Sequence, residues 1–191
     1  MGLGNATEGA SAARSGNPMK SATPAMVALD DAHVPYVVHA FDHDVAASTD
    51  VGYGKAAAAA LGVDEARVFK TLLARCDREF VVAIVPVTTT VSLKALASAL
   101  GVKRCEMAEP TDAQRVTGYV VGGISPFGQK KLLRTVIDES CANFDTIFVS
   151  GGRRGLDLEV APSDLERVLG AVRAVIGTWS VSDATRGTVA P

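Results

Sequence analysis

The pattern of apolar and polar positions divides the chain into a dense middle and two sparse ends. Residues 1–21 carry few large apolar groups, so a disordered tail is expected there. Thr23-Pro24 reads as a helix start, a hydroxyl cap followed by proline at the first helical position, with Met26, Leu29 and Val34 as apolar anchors. Residues 36–38 read as a short strand and 41–50 as a polar loop. An alanine-rich helix is predicted over 55–61, stopped by Gly62. Apolar runs at 68–74 and 80–85, joined by a turn at Asp77-Arg78, predict an antiparallel hairpin. Ser92 is placed to cap a helix over 93–100 that Gly101 ends, and Thr111 to cap a short helix over 112–116. Strands are predicted at 132–137, 146–149 and 156–160. Ser163 opens a last helix over 164–176, where Leu165, Val168, Leu169, Val172 and Ile176 recur at helical spacing.

Helices and strands are mixed without strict β-α-β alternation. The pattern predicts an α/β protein of the α+β type, with a mixed, strongly curved sheet surrounded by helices, and not a doubly wound nucleotide fold. No low-complexity linker or internal repeat interrupts the middle, so one domain is expected over 22–177, followed by a polar tail, 178–191, from which Trp179 can dock back.

Composition narrows the setting. The 191 residues are 48% hydrophobic and 21% charged, enough apolar material for a real core. No apolar run approaches the ~20 residues that span a bilayer, and the N-terminus lacks a secretory h-region. A cytoplasmic protein without membrane or DNA partners is expected. The three cysteines, Cys76, Cys105 and Cys141, are odd in number and widely spaced, which predicts reduced thiols filling apolar gaps. A net charge of −2 means that any RNA contact must be a local basic patch.

Four stretches carry candidate chemistry. Lys70 lies inside an apolar strand; such a lysine is ordinarily solvated, or else it is a cation at a pocket mouth with a lowered pKa. Gly122-Gly123 interrupts an apolar run, either as a plain turn or as backbone that offers N–H groups to an oxyanion. In the segment from Ser150 to Asp157, three glycines surround Arg153-Arg154. This is either a surface hairpin or a loop holding phosphate or ribose. His39 and His43 are four apart beside acidic residues, a weak metal pattern without H-E-x-x-H; no metal and no cofactor is expected.

Taken in order, TPAMVALDDAHVPYVVHAFDHD (23–44), VFKTLL (68–73), KALASALGVKRCEMAEP (94–110), TGYVVGGISPFGQKK (117–131) and IFVSGGRRGLDLEVAPSDL (147–165) resemble the YbaK family of free-standing Cys-tRNA(Pro) deacylases. That family belongs to the superfamily that includes the editing domain of bacterial prolyl-tRNA synthetases. The resemblance covers 23–176. It implies that Lys70 is the essential lysine, with Thr71 beside it, and that the amides of Gly122 and Gly123 approach the substrate carbonyl. It implies substrate-binding roles for Ser150, Arg154 and Asp157, and for Phe41 at a position where relatives often have Tyr. The implied reaction cleaves the ester between a misattached amino acid and the 3′ end of aminoacyl-tRNA, Cys-tRNA(Pro) and also Cys-tRNA(Cys), by attack of the substrate's own thiol. Lys103, Arg104, Lys130, Lys131, Arg134, Arg153 and Arg154 are the cations available to the acceptor stem, and prolyl-tRNA synthetase is the implied partner. Three alternatives remain at this point: a deacylase for Ala or another small amino acid, a non-catalytic tRNA-binding module, and a metal hydrolase built on His39 and His43.

Overall fold

The computed structural model describes residues 22–41 and 53–179. The expected tail 1–21, most of the polar loop after Phe41 (with His43), and residues 180–191 lie outside the described residues. Helix α1 (Pro24–Asp31) begins as its sequence dictates: Thr23 Oγ1 accepts from the Met26 N–H at 3.3 Å, and proline occupies the first turn. Strand β1 (Val37–Ala40) and helix α2 (Tyr53–Leu61) follow. The hairpin β2 (Val68–Cys76) and β3 (Glu79–Pro86) pairs antiparallel over its whole length, from Phe69 opposite Pro86 to Cys76 opposite Glu79. After the short β4 (Thr89–Val91), Ser92 caps α3 (Leu93–Leu100), and Gly101 closes it at φ 67°, in the left-handed region.

Strand β5 (Cys105–Met107), helix α4 (Pro110–Thr117), strand β6 (Arg134–Asp138), the hairpin β7 (Ile147–Arg153) and β8 (Leu156–Val160), helix α5 (Pro162–Leu169) and strands β9 (Val172–Ala174) and β10 (Gly177–Trp179) complete the order. One eight-stranded mixed sheet runs β1-β8-β7-β2-β3-β6-β9, with β5 also paired to β2. The β2/β7, β3/β6 and β6/β9 pairs are parallel and the other pairs of that sheet antiparallel. A small β10-β4 ribbon stands apart from it. Strand alternation sends Phe69, Leu73, Val149 and Leu158 into the main core beneath α1 and α5, whereas Val68 and Phe148 face α2 with Ala58. No helix of the described residues is long and apolar enough to cross a membrane.

Five expectations are corrected. The last helix starts at Pro162, with Ala161 in the cap position, and ends at Gly170, φ 60°. The chain beyond it forms β9 and β10, so Val172 pairs with Val136 instead of continuing the helix, and Ile176 is buried in a second core under α3. A left-handed glycine cap outweighs helical spacing there. Helix α4 starts at Pro110 after Glu109, with no side-chain cap from Thr111, because proline fixes the first turn by itself. Residues 132–133 precede β6 instead of belonging to it, and ordered structure runs on through Trp179, which pairs with Thr89.

The fifth correction concerns the thiols. Cys76 and Cys105 are bonded in a disulfide that joins β2 to β5, where the two residues stand directly opposite. Spacing along the chain could not reveal a pairing created by strand register. Cys141 alone remains a thiol; its burial pushes it up to about 11. The disulfide closes a 29-residue separation, which in the chain-entropy picture is worth about 3–4 kcal/mol. Urea unfolding with and without reductant measures this. The midpoint is expected to fall on reduction, and Cys76→Ser/Cys105→Ser is expected to match the reduced protein.

Candidate active site

The site follows from how β2 is paired. On one side β3 accompanies it throughout. On the other side β7 pairs only with Val68 and Phe69, and β5 joins only at Ala74. Between them β7 bends away at the bulge after Ser150, leaving Lys70 to Leu73 without a strand neighbour on that edge. The carbonyl of Val68 accepts from Val87 N–H at 2.8 Å on the β3 side, and that of Leu73 accepts from Ala108 N–H at 3.0 Å on the β5 side. Amide directions alternate along a strand, so the N–H and C=O of Thr71 face the opening. The Thr71 hydroxyl is buried and has no hydrogen-bond partner, although the residue is only 9% exposed. An orphaned buried hydroxyl costs stability unless a ligand satisfies it.

The opening is a cavity of about 260 Å³. Lys70, Thr71, Gly122 and Ser150 stand on its wall, and Leu73, Met107, Ala108, Pro110, Ala113 and Ile124 give it an apolar lining. Lys70 Nζ donates to the Thr89 carbonyl at 2.6 Å. Burial, and secondarily the nearby Lys55, lowers its pKa. A partly desolvated ammonium beside an apolar cavity is the arrangement that holds a ligand oxygen.

Strand register assembles a polar row on the face that Lys70 shares. Val68 is opposite Phe148, so Lys70 and Ser150 are each two residues further along parallel strands. Ser150 pairs with Asp157, and Asp157 pairs with His39. Lys70, Ser150, Asp157 and His39 thus cross β2, β7, β8 and β1 in one transverse line. The neighbouring line secures it: His39 Nε2 lies 3.0 Å from Glu159, which also accepts from Thr146 and from Arg67 Nη2. The Thr146 hydrogen bond, ahead of the His39 and Arg67 contacts, holds the Glu159 carboxyl below its usual range. Asp157 is 7% exposed, and burial raises its carboxyl to about 6, with His39 acting in the other direction.

The glycine and arginine motifs have a different geometry from the one expected of them. The Gly123 N–H donates to the Val120 carbonyl at 3.0 Å, closing a turn that Gly122 makes possible at φ 85°. A Cβ on Gly123 would lie 3.0 Å from the Arg153 backbone, so this glycine seats the loop on the β7–β8 turn. Gly122 lines the cavity and Gly123 does not. Arg154 Nε and Nη2 donate to the Val121 carbonyl at 3.1 and 2.9 Å, clamping the same loop, and Tyr119 OH ties it to the Phe127 carbonyl at 2.8 Å. Phe41 follows β1, with its N–H on the Gly155 carbonyl at 3.0 Å. No cluster of three metal-ligating side chains occurs among the described residues; His39 is engaged with Glu159, and His43 lies outside the described residues. Sequence reading missed the pairing gap and His39's place in the row. A histidine, an aspartate and a serine on three separate strands align only once register is known.

Asp157 generates a stability prediction. Its folded pKa of about 6 exceeds the ~3.9 of an unfolded aspartate, so the folded form binds the proton more tightly. Its ionisation therefore costs stability above pH 6, and the cost disappears below about pH 4. Asp157→Asn is expected to be more stable than the wild type at pH 8, by roughly 2–3 kcal/mol, with the gap closing as pH falls from 6 toward 4. Thermal unfolding across that range checks the sign.

Comparison with known proteins bears on the family and the fold. Residues 49–168, well over half of the chain, match the model of the aminoacyl-tRNA editing domain. A curated relative from Enterococcus faecalis (strain ATCC 700802 / V583), named "Putative Cys-tRNA(Pro)/Cys-tRNA(Cys) deacylase EbsC", is 38% identical over 141 residues, 73% of this chain and 84% of the relative. Among solved structures, that of "a putative trans-editing enzyme for prolyl tRNA synthetase" has a TM-score of 0.70 at 21% identity, covering 81% of this chain and 95% of its own. The hypothetical protein APE2540 has a TM-score of 0.71 at 21% identity, covering 82% and 100%. The two structures share the fold, and the family model together with the curated relative shows that the chain belongs to the aminoacyl-tRNA editing family.

Proposed function

We propose that the protein is a trans-editing deacylase that releases cysteine from mischarged Cys-tRNA(Pro), and also from Cys-tRNA(Cys), with the aminoacyl end seated in the opening beside Thr71. The observation that carries this reading is the convergence of Lys70, Gly122 and Ser150 on one small apolar cavity whose backbone edge is unpaired. The name of the curated relative supports the choice of substrate. The apolar lining suits a small side chain such as that of cysteine and would not solvate a charged one.

In this reading the substrate supplies the nucleophile. Its thiol sulfur bonds to its own carbonyl carbon, the carbon–oxygen ester bond breaks, and the thiol proton ends on the departing ribose oxygen. The products are a cysteine thiolactone, which water opens, and tRNA with a free 3′ end. Lys70 holds an oxygen of the terminal ribose or carbonyl. The Gly122 N–H is the donor to the oxyanion, because that of Gly123 is committed to the turn. Thr71, Ser150 and Asp157 hold the ribose and α-amino group, and Phe41 walls the far end of the polar row. Arg154 serves by clamping the glycine loop. The protein works in the cytoplasm beside prolyl-tRNA synthetase, which supplies tRNA selectivity.

The test is single-turnover deacylation of Cys-tRNA(Pro), with Ala- and Ser-tRNA(Pro) as comparisons. Lys70→Ala is expected to slow Cys release roughly 10- to 100-fold, the worth of one charge-assisted hydrogen bond, while retaining the wild-type fold. A folded Lys70→Ala protein with wild-type rate would refute the assignment. Faster release of Ala than of Cys by the wild type would move the substrate to alanine.

A further inference from the structure

A second concavity, of about 430 Å³, lies beside the C-terminal half of α4. The two share their building blocks. Helix α4 contributes Ala113 to the first and Arg115 and Val116 to the second; the loop after it contributes Gly122 and Ile124 to the first and Lys130 to Leu133 to the second. Four cations rim the second groove: Arg115, Lys130, Lys131 and Arg134, all exposed. Two carboxylates answer them. Asp112 pairs with Arg115 at 2.5 Å, and Glu79 lies 3.9 Å from Arg134. Four against two leaves a local charge of +2 on a chain whose total is −2. Among the described residues, no carboxylate pairs with Lys130 or Lys131.

The cations stand on a firm and partly apolar base. The Lys130 N–H donates to the Thr117 carbonyl at 3.1 Å, which ties the lysine pair to the end of α4. Arg134 Nη2 donates to the Leu100 carbonyl at 2.7 Å. Arg115 lies 5.9 Å from the centre of the Phe80 ring, and Leu132 is 78% exposed at the rim. Charged edges over an apolar floor match a ribose–phosphate strand, whose sugars are apolar on one side and whose phosphates are anionic.

Distance along β3 ties this groove to the active site. Lys70 is opposite Val85, and Phe80 is five residues back along the same strand. At ~3.4 Å per residue the separation is roughly 17 Å. A stacked nucleic-acid strand advances ~3.4 Å per nucleotide. A 3′ end at Lys70 would therefore bring the phosphates about five nucleotides inward over the groove, where an aminoacylated single-stranded end joins its stem.

We infer that the groove between α4 and the start of β3, rimmed by Arg115, Lys130, Lys131 and Arg134, docks the phosphate backbone of the substrate RNA at the junction of its stem and 3′ single strand. The inference rests on the proposed deacylase reading for its substrate. It adds a surface, separate from the reacting atoms, that anchors the RNA by charge and not by sequence. Arg115 belongs to this surface although nothing in the linear sequence sets it beside the lysine pair.

The experiment uses the full chain, uncharged tRNA and Lys130→Ala/Lys131→Ala, so that its outcome does not depend on catalysis. Binding is measured as Kd against salt concentration. The double variant is expected to bind about tenfold more weakly near 0.1 M salt, with the slope of log K against log salt reduced by nearly two, the loss of two phosphate contacts. Hydrolysis of a cysteinyl ester of adenosine, too short to reach the groove, is expected to match the wild type. Unchanged affinity and slope would overturn the inference, as would an equal loss on the short ester, which would mean that the variant acts through the cavity. Wild-type RNA affinity with weakened binding to prolyl-tRNA synthetase would overturn it in favour of a protein interface. A wild type that binds tRNA in the groove but cleaves no ester would leave the groove standing and refute the deacylase reading.

Discussion

Strand β2 has two different partners on one edge and, between them, none. β7 supports it at Val68 and Phe69, and β5 at Ala74 to Cys76. The interval leaves main-chain donors and acceptors in a buried place, where they would ordinarily be paired. The surrounding structure preserves that interval. The bulge after Ser150 turns β7 outward, the glycine loop is pinned over the opening by Arg154 and Tyr119, and the disulfide fastens β5 at the far end. A continuous sheet at this point would be more stable and would have no cavity.

The same trade is visible across the polar row. Asp157 is buried with a raised pKa, and the half-buried Lys70 has a lowered one. In each case burial disfavours the charged form. Beside it Glu159 is held by Arg67 and Thr146 and reaches across to His39 at the end of the row, which gives the row a firm foundation. Unsatisfied groups gather where a substrate would satisfy them, and satisfied ones gather one row away.

Much of the fold was legible because local chemistry decided it. Thr23-Pro24, Ser92 and Gly101 set helix ends by caps and left-handed geometry, and the β2–β3 hairpin followed from two apolar runs around a short turn. The last helix was misread where Gly170 ended it before the helical spacing ran out. The motifs at Lys70, Gly122 and Ser150 were recognisable as a set, and the structure brings those three to one cavity. Their division of labour was not legible. That the Gly123 N–H is spent on a local turn depends on a loop conformation the motif leaves open, and that Arg154 clamps a loop and Cys76 meets Cys105 follows from contacts between segments distant in sequence. The basic residues likewise looked equivalent in the sequence. The structure sorts them into a loop clamp, an ion pair of Arg104 with Glu106, and a separate groove.

In the proposed deacylase the unpaired edge of β2 receives the aminoacyl end of the substrate. Backbone amide NMR of the protein with a stable amide analogue, 3′-cysteinylamino-3′-deoxyadenosine, tests it directly. The Thr71 amide is predicted to shift and to become protected from solvent exchange on binding, while the Ala83 amide in the interior of β3 stays as it was. Saturating binding with the Thr71 to Leu73 amides unmoved would place the ligand elsewhere and contradict the account.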